Sequence, residues 1–86
     1  MNEHHYVWHQ GGRTQSELDH DLAAAREEAM KAYPSAAPFE AKAKKPGEAE
    51  TMLADMRNSV LELYMETHGW HLVYFDGRGR MHAAQH

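Results

Sequence analysis

The feature that most constrains how this chain folds is its small supply of bulky aliphatic side chains. Its 86 residues include no isoleucine, and valine, leucine and phenylalanine together number only eleven. Thirteen alanines and six methionines fill much of the remaining apolar fraction. Because a chain of this length buries only about 60–65 % of the surface that its unfolded form exposes, we expect a folded domain with a thin core.

Composition narrows the class of protein. The length predicts one domain, 1–86, and the absence of cysteine excludes a disulfide and is typical of the cytoplasm. Metal binding or self-association is then the expected reinforcement of the core. We expect no secretory leader and no membrane span, since no apolar run approaches about 20 residues. The formal net charge of −4 is unlike that of a dedicated DNA-backbone binder.

The first helix is predicted by a capping motif and by a 3.6-residue periodicity. Thr14 followed by Glu17 is a capping box, with Ser16 as the alternative cap. Pro34 ends the helix because proline lacks an amide hydrogen and disfavours helix in the residue before it. The predicted buried stripe consists of Leu18, Leu22, Ala25, Ala29, Ala32 and Tyr33.

A second helix is predicted from Pro46 or Gly47 to His68, after a connector over 34–47, and Gly69 ends it. The predicted buried stripe consists of Ala49, Met52, Leu53, Met56, Val60, Leu63 and Tyr64. A second, outer apolar strip consists of Ala54, Leu61 and Met65. Because one buried stripe would leave this outer strip in water, we expect it to contact a partner.

Three strands complete the predicted fold. Alternating residues predict strands over 5–9 and 70–75, and the Asp-Gly pair at 76–77 predicts a tight turn into a return strand over 80–84. A turn centred on 77–78 is the alternative. The predicted order is β-α-α-β-β, an α+β fold in which two helices pack on a small three-stranded antiparallel sheet.

The two faces of this predicted sheet are unlike. The face toward the helices consists of Tyr6, Trp8, Trp70, Leu72 and Tyr74. The opposite face carries Val7, Val73 and Phe75 among histidines, a mixture too apolar for a purely solvated surface. We therefore expect the opposite face to touch another molecule.

Eight histidines in 86 residues raise the alternative of a metal site. With the tight turn, His71 would face His82, and His5 and His9 would join them if the first strand pairs suitably. Imidazole nitrogens are common ligands of zinc and nickel. Because the spacing matches no compact zinc motif, we favour scattered surface histidines and no cofactor, with zinc as the alternative.

A nucleic-acid or nucleotide site is the second alternative. Arg78 and Arg80 alternate with glycines, which let a backbone approach phosphate, and arginine binds phosphate with two hydrogen bonds. Lys42, Lys44 and Lys45 form a basic cluster in the connector. Since the consensus patterns of RNA-binding domains are absent, we favour arginines that protect a sheet edge and lysines on a solvated surface.

The sequence therefore favours a protein that is not an enzyme. No Ser-His-Asp elbow, P-loop, dinucleotide fingerprint or HExxH motif is present. We expect a cytoplasmic protein-interaction module that forms a homodimer and blocks or bridges a partner protein. Its size and composition, though no motif, are typical of phage and mobile-element inhibitors of the anti-defence type. The expected partner-binding residues are Leu61, Met65, Val73, Phe75, Arg78 and Arg80.

Overall fold

The computed structural model describes residues 5–75 and 78–83, without the side chains of His5 and Ala83, and shows an α+β fold. The elements are β1 (His5–His9), α1 (Gln15–Ala32), α2 (Ala37–Glu40), α3 (Glu48–Thr67), β2 (His71–Phe75) and β3 (Met81–Ala83). β1 and β3 each pair antiparallel with β2, so the sheet order is β1-β2-β3. The predicted fold class is confirmed, and α2 is a short additional helix inside the predicted connector.

α1 begins as its capping motif predicts. The Thr14 hydroxyl accepts a hydrogen bond from the Glu17 amide at 3.1 Å, so Thr14 and not Ser16 is the cap. The Glu17 carboxylate accepts a hydrogen bond from the Thr14 amide at 3.4 Å and forms an ion pair with Arg13. Desolvation raises the pKa of Glu17, but the Thr14 backbone hydrogen bond and Arg13 outweigh it and leave the pKa below its ordinary value.

α3 lies between two glycines whose backbone only glycine adopts easily. Gly47 before it has a φ of 82° and Gly69 after it has a φ of 87°, both in the left-handed region. The Glu48 carboxylate accepts hydrogen bonds from the amides of Lys44 and Lys45 at 3.2 and 3.1 Å, which fixes the chain entering the helix. The predicted helix ends are therefore confirmed to within two residues.

The core lies between α1 and α3, near the C-terminal end of α3. Ala25, Met65 and Trp70 form its buried centre. Half-buried side chains pack around this centre: Trp8, Leu18, Leu22, Leu61 and Tyr64. Because alanine occupies little space on α1, α3 approaches closely enough for Met65 to be fully enclosed.

The buried face of α3 agrees with the predicted one in part: of the predicted stripe, Met56 and Leu63 are exposed, and the others are buried or half-buried, namely Ala49, Met52, Leu53, Val60 and Tyr64. Leu63, which the prediction buries, is 63 % exposed, whereas Met65, which the prediction leaves on an outer strip, is fully buried. α3 has apolar residues on more than one side, and the side with Leu61 and Met65 is the one that meets Ala25 of α1. The prediction of a water-exposed strip is therefore wrong at Met65, and Leu61 is half-buried.

The connection between β2 and β3 is longer than the predicted turn. Asp76 and Gly77 lie outside the described residues, but Phe75 pairs with Met81, so five residues join the two strands. Gly79 has a φ of 76°, in the left-handed region, and lies before the first residue of β3. The pairing that a two-residue turn would set is therefore wrong, and β3 begins one residue later than predicted.

The helix pair covers the sheet only in part, since Tyr6 on the helix side is 59 % exposed. Close backbone approach joins α1 with α3, α2 with α3, and the strands with one another, but is sparse between helices and strands in the described part. Trp8 and Trp70 make the main contact between the two layers. The radius of gyration is 15.4 Å, where about 12 Å is typical of a compact chain of this length.

Candidate interaction surface

An apolar patch lies on the face of the sheet opposite to Trp8. Alternate residues of a strand point to opposite faces, and the register places Val7 beside Val73 and Phe75 beside Met81. Val7 and Phe75 are each 40 % exposed and Met81 is 51 % exposed, around a buried Val73. These four residues are called the sheet patch below. The patch spans all three strands, and three of its four side chains are open to solvent.

The six predicted partner-binding residues are divided by the structure. Phe75 is exposed in the sheet patch, and Val73 lies in the same face but is buried. Arg78 and Arg80 are exposed in the connection between β2 and β3. Met65 is in the core, and only Leu61 of the helical pair reaches a shallow surface groove between α1 and α3.

Sequence reasoning missed two members of the sheet patch as binding residues, Val7 and Met81. Val7 was placed on the correct face by its alternation with Trp8, so the signal for it was present. The signal for Met81 was absent, because its pairing with Phe75 depends on a five-residue connection rather than a tight turn.

The opposite face of the sheet is occupied by its own aromatic contacts. The Tyr74 ring lies 5.1 Å from the His82 ring at 19°, a stacked arrangement, and 5.7 Å from the Tyr6 ring. Trp8 on this face packs against the core, which confirms its predicted place on the helix side. Tyr6 is 59 % exposed, so the helices do not cover the outer end of β1.

The register separates the four histidines of the predicted metal site. His9 pairs with His71, whereas His82 pairs with Tyr74 and therefore lies on the other face. The prediction that His71 faces His82 is wrong, because the connection between their strands is too long. The side chain of His5 lies outside the described part. Within that part, no three histidine or acidic side chains are grouped so that they could hold a metal ion.

The basic residues of the nucleic-acid alternative lie in two different connections. Lys42, Lys44 and Lys45 lie between α2 and α3, and the two arginines lie between β2 and β3. Just before α3, the amides of Lys44 and Lys45 donate to the Glu48 carboxylate, so these two amides are not open to a phosphate.

A buried polar cluster was not predicted. Asp21 is 8 % exposed, and its Oδ2 accepts hydrogen bonds from Trp70 Nε1 at 2.7 Å and Arg13 Nη2 at 3.3 Å. The Arg13 guanidinium also lies 5.2 Å from the centre of the Trp70 ring, a cation–π distance. The missed signal is a carboxylate between Leu18 and Ala25 on the buried stripe of α1. This cluster attaches the start of β2 to α1 and so positions the sheet.

Comparison with known proteins finds no match, since no protein family, curated protein or solved structure is significantly similar to this chain. In the described part of the chain, no helix combines the length and apolar character needed to cross a membrane. The function is therefore argued from the surface that the fold presents.

Proposed function

We propose that this protein is a non-enzymatic interaction module that associates with a second copy of itself and binds a partner protein through its sheet. The observation that carries the proposal is the sheet patch, in which three apolar side chains remain open to water. Exposed apolar patches rimmed by polar residues commonly mark sites of protein contact. The proposed action is occlusion: docking on the partner blocks or bridges a surface of that partner.

The exposed area supports self-association. The chain exposes 6492 Å², whereas a compact monomer of 9.8 kDa exposes about 5,200 Å². The excess is about 1,300 Å². A stable protein interface removes roughly 800 Å² from each partner, so contact with one further molecule of ordinary interface size would remove more than half of this excess.

The charge distribution favours a protein over a nucleic acid as the further partner. Among its described residues, the face that carries the sheet patch has no lysine, arginine or acidic residue, although His9 and His71 are exposed on it, and the chain carries a formal net charge of −4. Nucleic-acid surfaces are bound through clustered lysine and arginine. A small inhibitor of the type that phages and mobile elements encode would act by such occlusion. The proposed location is the cytoplasm, where proteins seldom contain disulfides.

The self-association is tested by placing a charge at the centre of β1. We expect the wild-type chain to have twice the monomer mass of 9.8 kDa in light scattering. Val7→Lys should be monomeric, because burying a charged lysine in a contact between two sheets is unfavourable. Leu63→Lys is the matched control, since Leu63 is exposed on α3 outside the sheet. A monomeric wild type, or a monomeric control, would contradict this part of the proposal.

The contact with the partner protein is tested at Phe75, the exposed residue of the sheet patch on β2. Phe75→Glu should abolish capture of a specific partner from the native host while the circular dichroism of the chain stays unchanged. Leu63→Glu should leave that capture intact. Equal capture by both variants would remove the sheet patch as the docking surface.

A further inference from the structure

We propose that the second copy joins the sheet edge to edge, with two β1 strands antiparallel and centred on Val7, so that two three-stranded sheets form one of six strands. This inference rests on the proposed self-association and specifies its geometry. It is carried by the difference between the two edges of the sheet and by the exposed Tyr6 ring on β1.

β1 is an edge strand without the usual protection. Edge strands offer unpaired N–H and C=O groups, and proteins block them with charged residues, proline, bulges or short length. The sequence of β1, HYVWH, contains no acidic residue, lysine, arginine or proline. Its five residues pair with β2 in an unbroken register, so no bulge turns the strand away. β1 therefore presents an edge that accepts another strand.

The other edge of the sheet is flanked by positive charge. In the described part of the chain, β3 runs from Met81 to Ala83. The exposed Arg78 and Arg80 lie just before it, where a second strand would have to approach. Charge beside an edge strand is a device that prevents pairing. Of the two edges, β1 is therefore the one suited to a second copy.

The residues of β1 also define the register. Pairing centred on Val7 overlaps all five residues and places Val7 opposite Val7 of the partner subunit. It places Tyr6 opposite Trp8 of the partner subunit on the other face, and aromatic cross-strand pairs of this kind are favourable. Tyr6 is 59 % exposed in the single chain, so this contact would cover an aromatic ring that the helices leave open.

This geometry has a consequence for the partner protein. The two-fold axis of an antiparallel strand pair is perpendicular to the sheet, so each face of one copy continues into the same face of the other. The two sheet patches then lie on one side of the six-stranded sheet. The resulting apolar surface is twice as wide as that of one chain, and the helix pairs lie on the opposite side.

Single cysteines test the geometry, because the chain has none of its own. We expect Val7→Cys to form a disulfide-linked dimer on mild oxidation, since opposite Cβ atoms lie about 4.5–5.5 Å apart. Met81→Cys should not link, because the two β3 strands would be five strand spacings, about 24 Å, apart. His9→Cys should not link either, because four residues of offset separate the two sites by about 14 Å.

Hydrogen–deuterium exchange supplies an independent readout of the same geometry. Edge pairing protects those β1 amides that point away from β2, and Val7→Lys should lose this protection. Linking of Met81→Cys but not of Val7→Cys in a dimeric wild type, or linking of Val7→Cys without protected β1 amides, would overturn edge pairing while leaving self-association in place. A wild type that stays monomeric would overturn both.

Discussion

The helix pair and the sheet respond differently to the same shortage of bulky side chains. Between α1 and α3, small residues such as Ala25 and Ala29 let the helices approach, so one flexible Met65 is enough to fill the gap. A sheet has no such freedom, because its strand spacing is fixed and layers on its face lie about 10 Å away, a distance that only large side chains bridge. An alanine-rich sequence can therefore seal a helix pair while it leaves a sheet open.

The largest predicted effect tests whether the helix pair is sealed. Met65→Ala should lower the free energy of unfolding by about 3 kcal/mol, because it removes buried atoms and leaves a cavity. Leu63→Ala, two residues away and exposed, should cost less than about 0.5 kcal/mol. Urea unfolding at a protein concentration at which the chain is monomeric measures both losses. Similar losses of stability at the two positions would contradict the burial of Met65 and the exposure of Leu63.

The next effect tests how the sheet is attached to the helix pair. Asp21→Ala should cost about 2 kcal/mol, because it leaves the buried indole N–H of Trp70 without an acceptor. Asp21→Asn should cost less, since the amide oxygen can still accept. Asp19→Ala is the matched control on the exposed side of α1 and should change little. A loss at Asp21 no larger than at Asp19 would show that this cluster does not hold the sheet in place.

A smaller effect is expected at the start of α1. Thr14→Ala should cost about 1 kcal/mol, because the Glu17 amide loses the hydroxyl that caps it. For a domain of this size, such a loss lowers the melting temperature by about 4–8 °C. Thr14→Ser keeps the hydroxyl and should melt close to the wild type. The opposite order of the two variants would contradict the capping geometry.

The smallest effect is a pH dependence that involves Glu17. Its pKa in the folded chain lies below the ordinary value of 4.5, so the ionised form is favoured by folding. The stability that Glu17 contributes is therefore present above that pH and is lost as the pH falls through the folded-state pKa. The urea concentration at the midpoint of unfolding should fall less steeply in Glu17→Gln than in the wild type as the pH is lowered through this range. An unchanged slope would show that its contacts with Thr14 and Arg13 do not contribute in solution.

The ends of the long helices could be predicted from the sequence because nearby residues set them. The Thr14 cap binds a residue three positions away, and Gly69 ends α3 through its own backbone conformation. The alternation of β1 and β2 likewise placed Val7 and Phe75 on one face. These features need no knowledge of distant parts of the chain.

Features that depend on distant contacts were not predicted. The Asp21–Trp70 hydrogen bond joins residues 49 positions apart. The buried side of α3 is chosen by its fit to α1, which is why Met65 rather than Leu63 is enclosed. The place of His82 followed from the length of the β2–β3 connection, and an error of three residues there moved the histidine to the other face.

The most direct test of the account is the mass of the untagged wild-type chain at sedimentation equilibrium over a range of concentrations. If a second copy completes the sheet, the mass should approach twice 9.8 kDa as concentration rises, and Val7→Lys should remain at 9.8 kDa. A wild type that stays at 9.8 kDa throughout would contradict it, because the chain would then be stable without a second strand on the β1 edge.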